Sequence, residues 1–177
     1  MFLTGKLANT RTVLRRTLRD HAPPTNEADL RSTESRLTQY LNRLNRPMPI
    51  DVLRGVEGEA SACYFQQFNH LITAQNDTFR FTGRNRRPPL DPINALLSFL
   101  YTLLVHDCRS ALEAVGLDPC VGYLHTDRPG RPSLALDMME EFRPFLADRL
   151  ALSLINLRQV QAKGFKKTEA GAVIMND

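Results

Sequence analysis

Apolar residues recur at helical spacing from the start of the chain: Leu3, Leu7, Leu14 and Leu18 form one stripe. Steps of four and seven mark a helix face. The other sides of this helix carry Lys6, Arg11, Arg15, Arg16 and Arg19. "HAPPTN" interrupts it at Pro23 and Pro24, and a second helix starts near Asn26 with Leu30, Leu37, Leu41 and Leu44 as its stripe. "NRPMP" breaks the chain again, and a third helix runs from about Asp51 to about Thr73. A long basic loop follows. Asp91 then caps a fourth helix with Pro92 at its first position. From Ile93 to Val115 apolar residues surround that helix on every side, which predicts the central, most buried element. Gly116 ends it. A fifth helix begins near Ser133, and Pro144 kinks it or starts a new segment, since a proline removes an internal hydrogen bond. The pattern resumes through Leu146, Leu150, Leu154 and Leu157 and fails after Gly164. "FKKTEAGAVIMND" reads as a hairpin turning near Ala170 and Gly171. The pattern predicts an all-α, multi-helix fold with strand confined to the neighbourhood of Phe165 to Ile174. Residues 1–177 form one domain, helical over 1–160 with a hairpin-like tail over 161–177.

Composition adds little to that picture. With 177 residues, 42% hydrophobic and 24% charged, the chain has an ordinary globular balance. The net charge is +4, and Lys and Arg outnumber Asp and Glu in the N-terminal helices. A second basic run, "GRNRRP", spans Gly83 to Pro88. Basic surface beside acidic clusters suggests a polyanion and a metal; ordinary solubility charge is the plainer alternative. The three cysteines, Cys63, Cys108 and Cys120, contain no CxxC pair, which points to a reducing compartment, the cytoplasm, rather than a disulfide framework. No signal peptide is visible. The longest largely apolar run, "INALLSFLYTLLV", has thirteen residues, too few to span a bilayer.

The carboxylates carry the chemistry. At about 100° per residue, Glu57 shares a stripe with Leu53, Ser61, Tyr64, Phe68 and Leu71, while Glu59 faces the opposite side. Gly55 and Gly58 flank Glu57 and suggest a close approach by something else. A carboxylate on a core-facing stripe needs a partner, a metal or an arginine. On the fifth helix Asp137, Glu140 and Glu141 crowd one arc bordered by Leu134 and Leu136. Like charges at that spacing repel. Either the arc is a solvated face balanced by Arg143 and Arg149, or a cation belongs there, and without one the group should hold protons tightly. His125, at the end of "CVGYLH", adds an imidazole. A mixed set of carboxylates and one histidine suits magnesium or manganese handling phosphate. Arginines of the two Arg/Pro loops, Arg84, Arg86, Arg87, Arg128 and Arg131, would then contact a nucleic-acid backbone or pair with surface acids. Structural zinc on His106, Cys108, Cys120 and His125 is a rival of poorer spacing. A di-iron bundle needs Glu-x-x-His motifs, and the sequence has none.

Three segments carry a family resemblance: "RGVEGEAS..YF", "RRPPLDPINALLSFLYTLL" and "GLDPCVGYLHTDRPGRPSLALDMMEEFRP". They resemble the helical catalytic domain of the CRISPR adaptation integrase, the first universal CRISPR-associated protein, most strongly its type I subtype C form. The similarity runs from "GKLANTRTVLRR" to "GFKKTEAGAVIMN". It implies a divalent-metal-dependent DNA endonuclease and integrase, using Mg2+ or Mn2+. Such an enzyme inserts spacers into a CRISPR array by transesterification, as a homodimer with a small ferredoxin-like partner subunit. The resemblance puts the family's metal-binding Glu on Glu57, its His on His125 and its final carboxylate on Glu140, with Asp137 beside the metal. Glu59 and Glu141 become bystanders. Family members begin with a β-sandwich domain, and no such strands precede Leu3, so the chain resembles a fragment. A non-catalytic helical module that binds DNA or a partner is the competing expectation; it requires no convergence of Glu57, His125 and Glu140.

Overall fold

The computed structural model describes residues 2–20, 24–126 and 128–176. Six helices and one hairpin follow the predicted order. They are α1 (Phe2–Asp20), α2 (Pro24–Arg43), α3 (Ile50–Gln66), α4 (Pro92–Ala114), α5 (Ser133–Phe142), α6 (Arg149–Asn156), β1 (Phe165–Lys167) and β2 (Val173–Met175). Pro24 opens α2, two residues before the predicted start, because proline fits the first turn of a helix; Pro23 lies outside the described residues. The third helix is shorter than its periodicity suggested. It ends at Gln66 and continues as a tight turn over Phe68–Leu71, where Phe68 and Leu71 are still buried.

Among the described residues α4 buries more positions than any other helix, but it is not buried on every side. Helix α5 packs against α1 on one side and α4 on the other, and α1 also meets α2 and α3. α4 buries Ile93, Leu96, Leu97, Leu100 and Leu104 but leaves Phe99 49% and Leu103 47% exposed. An apolar circumference permits burial on every side without requiring it. The start of α4 is built as its sequence predicted. The Asp91 side chain accepts from the Asn94 N–H at 2.7 Å. The buried Asn94 donates to Gly83 O at 2.8 Å and accepts from Arg84 at 2.7 Å, so it fastens the basic loop to the helix. Asn69 clamps the same loop further back, through the N–H and carbonyl of Phe81.

Pro144 does not break the helical path. Arg143–Asp148 form a wide π-type turn that joins α5 to α6, the usual way a helix absorbs a residue it cannot bond regularly. The hairpin pairs Phe165 with Met175 and Lys167 with Val173. Its turn uses Gly171 at φ +80°, a conformation that favours glycine. Val173 ties β2 to Pro89 O at 2.8 Å.

A candidate acidic site between three helices

Four elements converge around one cleft. α1 brings Lys6, α3 brings Glu57, α5 brings Asp137 and Glu140, and the loop before α5 brings His125. The buried face of α3 is Val56, Ala60, Cys63 and Tyr64, so Glu57 stands at its margin rather than at its centre. Its side chain is 28% exposed and that of Glu59 is 60% exposed. An added Cβ at Gly55 or Gly58 would meet nothing within 4 Å, so neither glycine serves a close approach here. The close approaches lie elsewhere. A Cβ at Gly5 would come 2.6 Å from the Glu141 side chain, and one at Gly122 would come 2.5 Å from Ser133 Cβ and 2.8 Å from its backbone carbon.

Gly122 lets the segment Tyr123–His125 fold onto the N-terminal half of α5, where Asp137 receives it. Asp137 Oδ2 accepts the N–H groups of Tyr123 at 2.5 Å and Leu124 at 2.8 Å, and Oδ1 accepts that of His125 at 2.9 Å. The His125 ring also bonds Oδ1 through Nδ1 at 2.6 Å. Asp137 is wholly buried, and these contacts engage both its oxygens. Burial pushes its pKa up, but the histidine and the three N–H groups bring it net below the usual carboxylate value. It therefore holds its proton less tightly than the crowding of like charges suggested.

With Nδ1 committed, His125 Nε2 faces the cleft and lies 3.8 Å from Glu140 Oε1. Glu140 is 2% exposed. Arg143 Nη1 reaches its Oε1 at 2.8 Å and Lys6 Nζ its Oε2 at 2.7 Å. The same Lys6 ammonium pairs with Glu57 Oε1, which also accepts from Ser61 Oγ at 2.8 Å. Burial raises the pKa of Glu57, and the charge and hydrogen bond of Lys6, with Ser61, lower it to a net depression. Glu57, His125 and Glu140 line one cleft of about 190 Å³ with Arg54 and Arg131. Arg54 Nε donates to Leu124 O at 2.8 Å, which ties α3 to the histidine loop. Among the described residues no three His, Cys, Asp or Glu side chains are grouped closely enough to hold a metal as they stand; between Glu57 and Glu140 the cation is Lys6. His106, Cys108, Cys120 and His125, the zinc alternative, are likewise not grouped to hold a metal.

The sequence reading missed Lys6; it had Arg143 as a balancing charge on this arc, and the structure pairs Arg143 with Glu140. It put Lys6 on an outer side of α1, but Lys6 is 7% exposed. At about 100° per residue Lys6 falls between Val13 and Thr17, both buried. The periodicity test that singled out Glu57 would have found it.

The five arginines divide. Arg131 borders the acidic cleft and Arg128 is exposed. Arg84 is engaged within the fold, bonded to Asn94 and stacked 5.2 Å from the Tyr101 ring. Arg84 and Arg86 line a larger cleft of about 640 Å³ that shares Lys6 and Glu57 with the acidic site. Arg87 lines a neighbouring recess with Arg143. In the larger cleft, Tyr101 donates to the buried Asp148 at 2.5 Å, and the Arg143 guanidinium also lies 4.9 Å from the centre of the Tyr101 ring. Burial pushes the Asp148 carboxyl up to about 6 despite Tyr101, Arg143, Lys6 and Arg84.

Comparison with known proteins sorts this geometry into a family. The description "CRISPR associated protein Cas1" matches residues 1–177. The chain belongs to the Cas1 family. It is 54% identical over 177 residues to CRISPR-associated endonuclease Cas1 1 of Chlorobaculum tepidum, covering 100% of this chain and 52% of that protein. It is 55% identical over 179 residues to CRISPR-associated endonuclease Cas1 2 of Rhodospirillum rubrum, covering 99% and 52%. The chain thus spans about half the length of these curated relatives. Among solved structures, a Cas1 protein from Thermotoga maritima superposes with a TM-score of 0.74 at 31% identity, over 97% of this chain and 54% of that one. A casposase bound to integration product gives 0.82 at 29% identity, over 98% and 46%. A Cas6-RT-Cas1–Cas2 complex gives 0.81 at 28% identity, over 99% and 19%.

Proposed function

We propose that this chain is the catalytic part of a Cas1 endonuclease and integrase that acts in spacer acquisition by transesterification at DNA phosphodiesters. The observation that carries the reading is the convergence of Glu57, His125 and Glu140 on one cleft, with Asp137 fixing the imidazole from behind. In donor type, though not in their present spacing, the residues suit a divalent cation. Two carboxylates and one imidazole nitrogen supply hard oxygen and nitrogen donors. One buried ammonium already sits between the two carboxylates, so the position favours positive charge. Glu57, Glu140 and His125 Nε2 would hold Mg2+ or Mn2+, and Asp137 acts on the histidine rather than on the ion. When bound, the ion supplies charge stabilisation to a phosphate undergoing displacement.

The chain's own groups do the rest. Asp137 accepts the Nδ1 proton of His125 and leaves the Nε2 lone pair facing the cleft. Arg143 holds Glu140 at its other oxygen. Arg54 and Arg131 frame the opening and meet a phosphate backbone there, with Arg86, Arg87 and Arg128 further out; Arg84 supports the loop that presents them. The casposase bound to integration product and the Cas1–Cas2 complexes among the structural neighbours support DNA as substrate and a second subunit as partner; the family resemblance adds that this subunit is small and ferredoxin-like and that the whole protein is a homodimer. The motif "GLDPCVGYLHTDRPGRPSLALDMMEEFRP" supports the type I subtype C form. Among the described residues no helix is long and apolar enough to cross a membrane, and Cys63, Cys108 and Cys120 are free thiols; both support a cytoplasmic site of action.

The test is a manganese-dependent cleavage and strand-transfer assay on the full-length protein with its partner subunit. Glu57→Ala, His125→Ala and Glu140→Ala should abolish both activities while circular dichroism stays helical. Glu59→Ala and Glu141→Ala should be mild. Full activity in Glu57→Ala would return the chain to a non-catalytic DNA- or partner-binding role.

A further inference from the structure

Lys6 is a lysine at a buried position of α1. It is 7% exposed, and its one ammonium serves two carboxylates, Glu57 Oε1 and Glu140 Oε2, the latter at 2.7 Å. Removing either partner from such a buried group is costly, so the arrangement is stable only while something positive occupies that position. The carboxylates are the same two that hold the divalent ion in the reading above, on which this inference rests. A metal ion bonded to both, at roughly 2–2.5 Å from each oxygen, would crowd the ammonium nitrogen and repel it. The two cations compete for one position.

We propose that Lys6 is the resident cation of the acidic pair. It keeps Glu57 and Glu140 convergent in the metal-free protein, and it leaves them when a divalent ion binds, turning into the larger cleft beside Asp148. Three observations support the exchange. Lys6 lines the 640 Å³ cleft that Asp148 also lines, so the ammonium has space and a second carboxylate to turn toward. The charge of Lys6 already acts on Asp148 across that space. Glu140 keeps a separate tie, Arg143 Nη1 at 2.8 Å from Oε1, so the carboxylate stays in place while its other oxygen changes partner. No covalent bond changes; the charge in the acidic pair rises as the ion enters and the ammonium departs. Lys6 is a positioning residue whose removal should strengthen metal binding, whereas a merely structural lysine would leave affinity unchanged.

The chain offers its own internal control. Its four lysines are Lys6 and Lys163, Lys166 and Lys167, and the last three are exposed near the hairpin. Acetylation by an N-hydroxysuccinimide ester, read by mass spectrometry with and without saturating Mn2+, should leave those three unchanged and raise labelling of Lys6 severalfold with Mn2+. Unchanged Lys6 labelling in protein that binds Mn2+ would overturn the exchange. Titration of Mn2+ followed by electron paramagnetic resonance should show Lys6→Met binding at least about tenfold more tightly than wild type, as expected when an internal competitor is deleted. Its metal-free melting temperature should fall and its gain on adding Mn2+ should exceed that of wild type. Lys6→Arg, which keeps the charge, should stay near wild-type affinity. Equal or weaker Mn2+ binding by Lys6→Met removes this inference alone. No Mn2+ binding by either protein removes the metal site and the inference together. If Lys6→Met does not fold, the labelling of wild-type protein decides.

Discussion

Asp137 and Glu140 stand one helical turn apart and have different roles. Asp137 is consumed by the fold: three backbone N–H groups and one imidazole fill its oxygens. Glu140 faces two cations instead, Lys6 and Arg143, with the His125 ring 3.8 Å away. Asp137→Asn should therefore behave as a loss of histidine orientation. An amide presents one oxygen where the carboxylate presented two, and its other terminus offers N–H to a site built of donors. Metal affinity and cleavage rate should fall about 10–100-fold, the usual effect of removing a partner behind a ligating histidine, with Mn2+ titration and strand transfer as the measurements. Glu140→Gln should lose activity altogether. Tyr101 is a second such residue. It donates to the buried Asp148 and lies beside Arg84 and Arg143. Tyr101→Phe leaves that carboxylate without its hydroxyl donor and should cost about 1–3 kcal/mol of stability, read by urea unfolding.

Between α1, α3 and α5 the glycines decide what can approach what. At Gly122 an added methyl group would meet the Ser133 backbone at 2.8 Å. Backbone at the start of a helix cannot move aside, so Gly122→Ala should push the histidine loop off α5, at about 1–3 kcal/mol, and lower metal affinity in step. Gly5→Ala meets only the side chain of Glu141, which can turn away, so its cost should be smaller. Gly58 is the reverse case. It lies inside α3 with open space around it, and Gly58→Ala should stabilise the protein by roughly 0.5–1 kcal/mol through helix propensity. Thermal melts of the three variants check the order: Gly122→Ala lowest, Gly58→Ala above wild type. The same scale explains why the sequence overstated the burial of α4. Its apolar surface exceeds what α5, α6 and β2 cover, and Phe99 and Leu103 remain outside.

For the molecule as a whole, acid stability is set by groups that pull in opposite directions. Glu57 and Asp137 have pKa values below the ordinary carboxylate value in the folded chain. Their contribution is present at neutral pH and is lost as pH falls through those lowered values. Asp148 is raised from 3.8 to about 6, so between these values the folded chain binds more protons than the unfolded one and gains stability as pH falls. Asp148→Asn removes that gain. Its melting temperature should drop more steeply than that of wild type between pH 6 and pH 4, and a parallel decline would refute the assignment. Whole-surface charge has its own test: DNA affinity should fall as salt rises, and Arg131→Ala should reduce the slope. Much of this was determined by the sequence. Period and breakers define the helices and the hairpin, because spacing and proline act locally. The pattern also marked Glu57 as misplaced and Asp137, Glu140 and Glu141 as crowded, since a carboxylate on or beside an apolar stripe is legible without knowing its partner; His125 was assigned to the site by the family resemblance. Only the tertiary structure decided which partners they meet. That Lys6, far away in sequence, lies between Glu57 and Glu140, and that Asp137 turns inward to the histidine loop, depends on how α1, α3 and α5 pack. Packing is a property of all three faces at once, and no single stretch of the chain contains it.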